Sequence, residues 1–395
     1  MSCQTGILRG QSHARDAREA VREFHAAVNQ PDTALVLFFC SSTYDLDVIA
    51  DEMQRRFAGV QVVGCTTAGE IGPAGYVSAT LNGASFPASH FRAVSGCIEN
   101  LQSFQAVQGQ ELVHQLKQRL AAEPAGPKNG KCVALQLIDG LSVREEPVTR
   151  SLQSALGGTP LVGGSAGDDM GLQHTRIYFG GRFLSDTAVL VLLATPLPFA
   201  PFMTHHFEPM NERLVVTAAD PARRIVYELN GRPAAKEFAN ILGLAERELD
   251  ISHFACHSVS VLVNDESHVR SVQKINGDGS LTFFCAIERG LVLRATRSKD
   301  LLKNLEQLFS RIHAEIGPPH FILGFDCIHR RLDIECNADR DRIVELLVNN
   351  GTTGFCTYGE QYRGAHMNQT FVGVAFGGSL PVDAPLQIAE ESNHA

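Results

Sequence analysis

The chain has 395 residues, 44% hydrophobic and 19% charged, which is enough apolar material for two or three packed domains. Its 34 basic and 43 acidic residues leave a net charge of −9, an argument against coating nucleic acid by neutralising phosphates. No basic run exceeds the pairs Arg55–Arg56, Arg223–Arg224 and Arg330–Arg331, and the ten cysteines contain no CxxC pair, so they read as reduced core thiols.

The N-terminal stretch lacks an apolar core of signal-peptide length, and the most apolar run, Ala188 to Ala194, is far shorter than the ~20 residues of a membrane span. A cytoplasmic location is therefore expected, with no membrane partner. Residues 1–32 set Ala17, Val21, Phe24 and Val28 among charges, predicting an amphipathic helix. A buried strand is expected at Leu35–Cys40. The 3- and 4-residue spacings of Leu46, Ile49, Met53 and Phe57 predict a helix. The loop Gly64-Cys65-Thr66-Thr67-Ala68-Gly69-Glu70 follows.

That loop recurs without a gap at Gly354-Phe355-Cys356-Thr357-Tyr358-Gly359-Glu360, an offset of 290 residues that Thr80/Thr370 and Phe86/Phe376 also keep. Upstream of the second copy lie another strand (Phe321–Cys327) and helix (Asp339–Val348). A third, weaker copy sits between them: strand Val133–Ile138, helix Arg144–Leu156, and Pro160-Leu161-Val162-Gly163-Gly164-Ser165-Ala166-Gly167-Asp168. Each unit reads strand, helix, strand, then a loop of glycine and small hydroxyl residues ending in an acid. The fold class is α/β: two related halves of repeated units with added antiparallel strands. Among the latter, Val259–Val263 is expected to face Arg270–Ile275, and Leu281–Ala286 to face Leu291–Ala295, with a turn at Asn276-Gly277-Asp278-Gly279.

Three prolines between Thr195 and Pro201 predict a stiff connector. The expected domains are 33–195 and 204–383, joined by 196–203, with a loose tail at 384–395. Beyond the connector, Phe202–Phe207 reads as a strand entering the second half, so His205 and His206 would point to opposite faces.

These segments resemble the FIST family of signal-transduction modules, which have an N-terminal and a C-terminal part. Val63-Gly64-Cys65-Thr66-Thr67-Ala68-Gly69-Glu70-Ile71 and Val162-Gly163-Gly164-Ser165-Ala166-Gly167-Asp168-Asp169 look like its first two hallmarks. Asn230-Gly231-Arg232-Pro233-Ala234 resembles the opening of the C-terminal part, and Tyr358-Gly359-Glu360 with His366-Met367-Asn368-Gln369-Thr370 its closing signature. The pairing of Phe38-Phe39-Cys40-Ser41-Ser42 and Tyr44-Asp45 with an intact Gly-Cys-Thr-Thr-Ala-Gly-Glu-Ile-Gly-Pro is most similar to the nitric-oxide-sensing NosP subgroup. The resemblance implies a sensor that binds haem b non-covalently, takes nitric oxide as its gaseous ligand, and regulates a separate histidine kinase or a diguanylate cyclase or phosphodiesterase. Pairing into a homodimer is left open.

Ligands in open α/β sheets lie at the carboxyl ends of the strands. The candidate pocket residues are therefore Gly64, Thr67, Glu70, Ser165, Asp168, Thr357, Glu360 and Asn368; alternatively the glycines only make turns and the acids only cap N–H groups. Haem needs an axial donor. His205, His206 and His366 are the candidates, with His205 or His206 preferred for the iron. His253, His257 and His174 are further choices, and the absence of CxxCH excludes covalent attachment. The run His253-Phe254-Ala255-Cys256-His257 lacks the paired spacing of a structural zinc site. No GxSxG, HExxH or nucleotide-binding fingerprint is present, so catalysis is not expected. The rival reading is a haem-free module that senses an amino acid or another small metabolite.

Overall fold

The computed structural model describes residues 6–123, 126–127, 130–263 and 266–378. Three six-stranded sheets share one construction, each seeded by a parallel pair joined through helix. Thr33–Ser41 pairs with Val62–Thr67 across the helix Leu46–Arg56, and Lys131–Ile138 with Leu161–Ser165 across Glu145–Leu156. In the third unit Pro319–Cys327 pairs with Thr352–Thr357 across two helices, Ile328–Cys336 and Arg340–Asn349. On its other side the first strand of each pair takes an antiparallel neighbour: Leu81–Pro87, Thr187–Thr195 or Phe371–Gly377. Edge strands Leu8–Ser12, Arg92–Glu99 and Phe199–Thr204 complete that side.

The last two places in each sheet are filled from a different unit. The hairpin after the first loop, Glu70–Gly72 with Gly75–Val77, pairs with the third unit's Thr352–Thr357. The hairpin after the third loop, Glu360–Tyr362 with Ala365–Met367, pairs with the second unit's Leu161–Ser165. The hairpin after the second loop, Ile177–Phe179 with Arg182–Leu184, pairs with the first unit's Val62–Thr67. The exchange is cyclic, so no sheet is complete without its neighbour.

A ring of backbone hydrogen bonds closes the same cycle. Ala68 N–H donates to Cys356 O (2.9 Å), Tyr358 N–H to Ser165 O (3.2 Å) and Gly167 N–H to Thr66 O (3.0 Å). Inner faces of the three sheets share one core, with Phe39, Phe86, Leu135, Val191, Phe325 and Phe376 among its members. Burying such side chains is the main favourable term in folding.

The motif glycines have a packing reason. A Cβ at Gly354 would lie 1.7 Å from the carbonyl oxygen of Gly324; at Gly64 it would lie 2.5 Å from that of Phe38, and at Gly163 2.3 Å from that of Gln136. Each therefore lets a parallel strand approach its partner. Gly354→Ala is expected to cost about 1–3 kcal/mol through overpacking. An unchanged urea midpoint would mean that the strands part freely.

Residues 207–298 leave this three-sheet body as a separate lobe. Its sheet runs in the order Glu266–Arg270, Val259–Val263, Val292–Ser298, Phe207–Asp220, Ile225–Leu229, Leu281–Phe283, Val272–Ile275. With the helices Ala234–Leu242 and Ile251–Cys256 it encloses its own core, including Leu214, Val226, Phe238, Phe254 and Leu293. The chain returns to the body at Asp300, which caps the helix Leu301–Ile316 by accepting from Lys303 N–H (2.9 Å).

Several expectations change. The stretch 196–203 is not all connector: Phe199–Thr204 is an edge strand, where Pro201 lies opposite Val374 on the sheet's outermost strand, a position that tolerates proline. His205 and His206 sit between that strand and Phe207–Asp220, at the crossing from body to lobe, rather than within one strand. Val259–Val263 faces Glu266–Arg270, and Leu281–Phe283 faces Ile225 and Val272–Ile275 instead of Leu291–Ala295. The tail 384–395 lies outside the described residues.

Candidate functional site

The repeated loops meet at the carboxyl ends of the parallel strands, and they meet in a buried interior. Glu70 is fully buried. Thr67 Oγ1 bonds one of its carboxyl oxygens, while Thr80 N–H (3.2 Å) and Oγ1 (2.7 Å) donate to the other. Glu360 repeats this with Thr357 and with Thr370 N–H (3.1 Å) and Oγ1 (2.7 Å). Burial is the main cause that pushes Glu70 up to about 7 and Glu360 up to about 8. The hydrogen bonding agrees. Thr67 and Thr357 each have one hydroxyl proton, yet each oxygen also lies 3.4 Å from a carbonyl, that of Cys40 or Asp326. A protonated glutamic acid supplies the second proton, so both contacts become hydrogen bonds.

The middle unit departs from this pattern because Ala166 carries no hydroxyl. Asp168 instead accepts N–H groups from Leu172, Gln173 and His174 (2.8 Å each) and the hydroxyl of Tyr358. Ser165 Oγ accepts from Gln361 Nε2 (2.8 Å), and Asn368 Nδ2 donates to Tyr358 O (3.2 Å). Gly64 packs on Phe38. The candidate pocket residues thus come together as an interlocked polar layer. A cleft of about 300 Å³ opens beside Asp168 and His174. A larger one of about 780 Å³, bounded by Gln30, Gln61 and Arg92, lies at the opposite, amino ends of the strands.

The lobe covers this layer along a seam. Arg270 Nη1 donates to His366 O (2.9 Å), and Gln369 Nε2 donates to Phe254 O (2.8 Å) and Ser258 Oγ (2.7 Å). Arg224 reaches from the lobe to Glu145 (2.7 Å) and Glu146 (2.5 Å) at the start of a first-half helix, and Ala286 N–H donates to Glu146 (2.6 Å). Phe284 of the lobe packs against Tyr358 and His329, with ring centroids 5.6 and 5.4 Å away.

Three histidines singled out from the sequence lie near the seam, and two have no lone pair to spare. His206 Nδ1 accepts from Arg330 (3.0 Å), which leaves Nε2–H to donate to Asp333 (2.8 Å). His366 Nδ1 accepts from Gln361 Nε2 (3.0 Å), which leaves Nε2–H facing Phe284 O (3.4 Å). Half-buried His205 accepts from Phe207 N–H at Nδ1 (3.3 Å), and burial lowers it to about 4. Elsewhere, His253 pairs with Asp250 (2.9 Å) and Cys256 Sγ turns to Asp333 (3.9 Å). Among the described residues no group of three or more His, Cys, Asp or Glu is placed to hold a metal ion.

A fourth histidine, His329, was not anticipated. It is the second residue of the helix Ile328–Cys336, at the carboxyl end of the strand Pro319–Cys327, and is fully buried with neither ring nitrogen partnered. Phe284 packs against its ring and belongs to an apolar cluster with Cys327, Ile328 and Tyr358. Burial lowers it to about 4, so the ring is neutral and keeps a free lone pair. The signal in the sequence was its position directly after the third repeated strand. Its neighbour Arg330 is no surface base either, being fully buried with Nε on Asp326 (2.6 Å), while Arg331 donates to Ala68 O (2.9 Å) and Ser78 Oγ (2.7 Å).

Three exchanged α/β units and an inserted lobe meet over this buried polar layer. The FIST N domain model matches residues 34–232 and the FIST C domain model residues 234–363, and the chain belongs to the FIST family of sensory, ligand-binding modules in signalling. It is 22% identical over 250 residues to an uncharacterized protein of Methanocaldococcus jannaschii, covering 55% of this chain and 48% of that protein. The chain thus spans about half the length of the curated relative it matches. No described helix is long and apolar enough to cross a membrane.

Proposed function

We propose that the chain is a non-enzymatic sensor whose ligand enters the seam between lobe and body, that the ligand is haem b held non-covalently, and that His329 is its axial donor. The observation that carries this reading is a buried, neutral imidazole with both nitrogens unpartnered against an aromatic wall. An unsatisfied buried polar group costs about 1–3 kcal/mol, a cost a fold retains where a ligand repays it. A neutral imidazole in apolar surroundings suits iron in a flat, greasy macrocycle. Bound haem would supply an iron that takes up nitric oxide. The chain's own part is to present the lone pair, wall the site with Phe284 and Tyr358, and exclude water beneath the lobe. The signal would leave as a change in how the lobe sits on the body, read by a separate histidine kinase or cyclic-di-GMP enzyme in the cytoplasm.

A second reading has an observation of its own. The buried amide oxygens of Gln361, Asn368 and Gln369 are also unpartnered in this seam, and such acceptors suit the ammonium group of an amino acid. Haem titration and mass spectrometry of co-purifying small molecules separate the two. We expect a saturable Soret change at about one haem per chain that is lost in His329→Leu. The same variant should stabilise the ligand-free protein by about 1–2 kcal/mol, because it removes the orphaned group. Haem binding that survives in His329→Leu but fails in His205→Ala would move the donor to the body–lobe crossing. A folded wild-type protein that shows no Soret change and carries an amino acid would establish the second reading.

A further inference from the structure

Nine cysteines lie among the described residues, and two of them end helices that face each other across the seam. Cys256 closes the lobe helix Ile251–Cys256, and Cys336 closes the body helix Ile328–Cys336. Five others are buried, and Cys97 and Cys132 lie half-buried in first-half strands. The Cys256 thiol donates to Asp333 Oδ1 at 3.9 Å, and Cys336 follows Asp333 by three residues on the same helix, a spacing that sets Cβ atoms about 5–6 Å apart on one face. Cys336 is exposed and Cys256 half-buried, so a small oxidant can reach the pair from solvent.

We infer that Cys256 and Cys336 form a reversible disulfide that clasps the lobe to the body in response to a peroxide. Cys336, the exposed thiol, attacks one oxygen of hydrogen peroxide as its thiolate. The O–O bond breaks, the sulfur takes the OH as a sulfenic acid, and the released hydroxide leaves as water after taking up a proton. Cys256 then gives its proton to the Asp333 carboxylate it already touches, and its sulfur attacks the sulfenic sulfur. The S–S bond forms, the S–O bond breaks, and the departing hydroxide takes the proton back from Asp333 and leaves as a second water. Two thiols and one peroxide thus become one disulfide and two waters, with the two electrons from sulfur reducing the O–O bond. Partial burial and the neighbouring Asp333 charge keep Cys256 a thiol until then, the condition of a resolving partner.

The clasp does not require either ligand of the seam, because its two sulfurs end their helices, Cys336 seven residues after His329 on the same helix. Its test is peptide mapping of the full chain after treatment with hydrogen peroxide, without reducing agent. The expected result is a Cys256–Cys336 linked peptide that disappears on reduction and is lost in Cys256→Ser and in Cys336→Ser. Proteolysis of the lobe should slow on oxidation in the wild type and stay unchanged in both variants. Three outcomes would overturn the inference, the first two being oxidation of Cys336 to sulfinic acid without a linked peptide and failure of dibromobimane, a short thiol cross-linker, to bridge the two residues. Lobe proteolysis that slows equally in the serine variants would assign the effect to another group and remove the clasp.

Discussion

Replacing Arg224 with methionine will lower the protein's stability by about 3–5 kcal/mol, the cost typical of removing one partner from a buried charge cluster. Arg224 and Glu145 are both buried, and Glu146 is mostly so. Burial works against charge in all three groups. Attraction to the two glutamates keeps Arg224 charged; without the arginine, Glu145 would lose its main counter-charge and Glu146 one of its stabilising charges. Methionine keeps most of the arginine stem, so the effect reports charge more than lost packing. The cluster joins the lobe to the helix Glu145–Leu156 of the first half, so the loss should concentrate in the lobe. Urea denaturation gives the total, and limited proteolysis locates it. Adding Glu145→Gln and Glu146→Gln should recover most of the loss. A deficit that persists in the triple variant would mean that the arginine's shape, not its charge, holds the lobe down.

The repeated units were legible because a loop of glycines, hydroxyls and an acid needs a specific sequence to close, and the chain spells it nearly the same way each time. What the hairpins after those loops pair with was not legible. Glu70–Gly72 is three residues long, and nothing in it distinguishes a partner strand in its own unit from Thr352–Thr357 in another. The choice is made by the buried core that all three sheets share, which is a property of the whole body. The same limit applied to the lobe, where Leu281–Phe283 is too short for its alternation to specify a neighbour.

The candidate site divides on similar lines. Thr67, Glu70, Thr357 and Glu360 were visible as a repeated set, and they form a repeated hydrogen-bonded arrangement. Their shared pattern said nothing of depth, and depth makes them an interior polar layer. His329 carries no motif. It gains its character from a lobe residue 45 positions earlier, Phe284, that covers it in three dimensions. Arg330 beside it read as half of a basic pair, yet Asp326, four residues back at the end of the preceding strand, neutralises it in the interior.

The buried glutamates make stability fall as pH rises from about 5 to 9, a direction opposite to that given by carboxylates in salt bridges. The folded chain holds Glu360 protonated up to about pH 8 and Glu70 up to about 7, whereas both would release their protons near the ordinary 4.5 once unfolded. Below pH 4.5 both states carry the proton, and these residues contribute no pH dependence. Above it the unfolded chain has let go of a proton that the folded chain keeps, so each further pH unit draws the equilibrium toward unfolding. The cost is about 1.4 kcal/mol per pH unit and per group until the folded value is passed. For Glu360 this sums to roughly 3–5 kcal/mol, with a smaller share from Glu70. Glutamine is the matching neutral shape: its amide N–H donates to Thr357 Oγ1 and its oxygen accepts from Thr370 N–H and Oγ1. Glu360→Gln should therefore leave stability at pH 5 nearly unchanged and raise it at pH 9, with Glu70→Gln flattening the profile further. Urea midpoints measured across this range decide the matter. A wild-type profile that is flat from pH 5 to 9, or a Glu360→Gln profile as steep as the wild type's, would show that these carboxyl groups are ionised in the fold and that the paired threonines stabilise the charge.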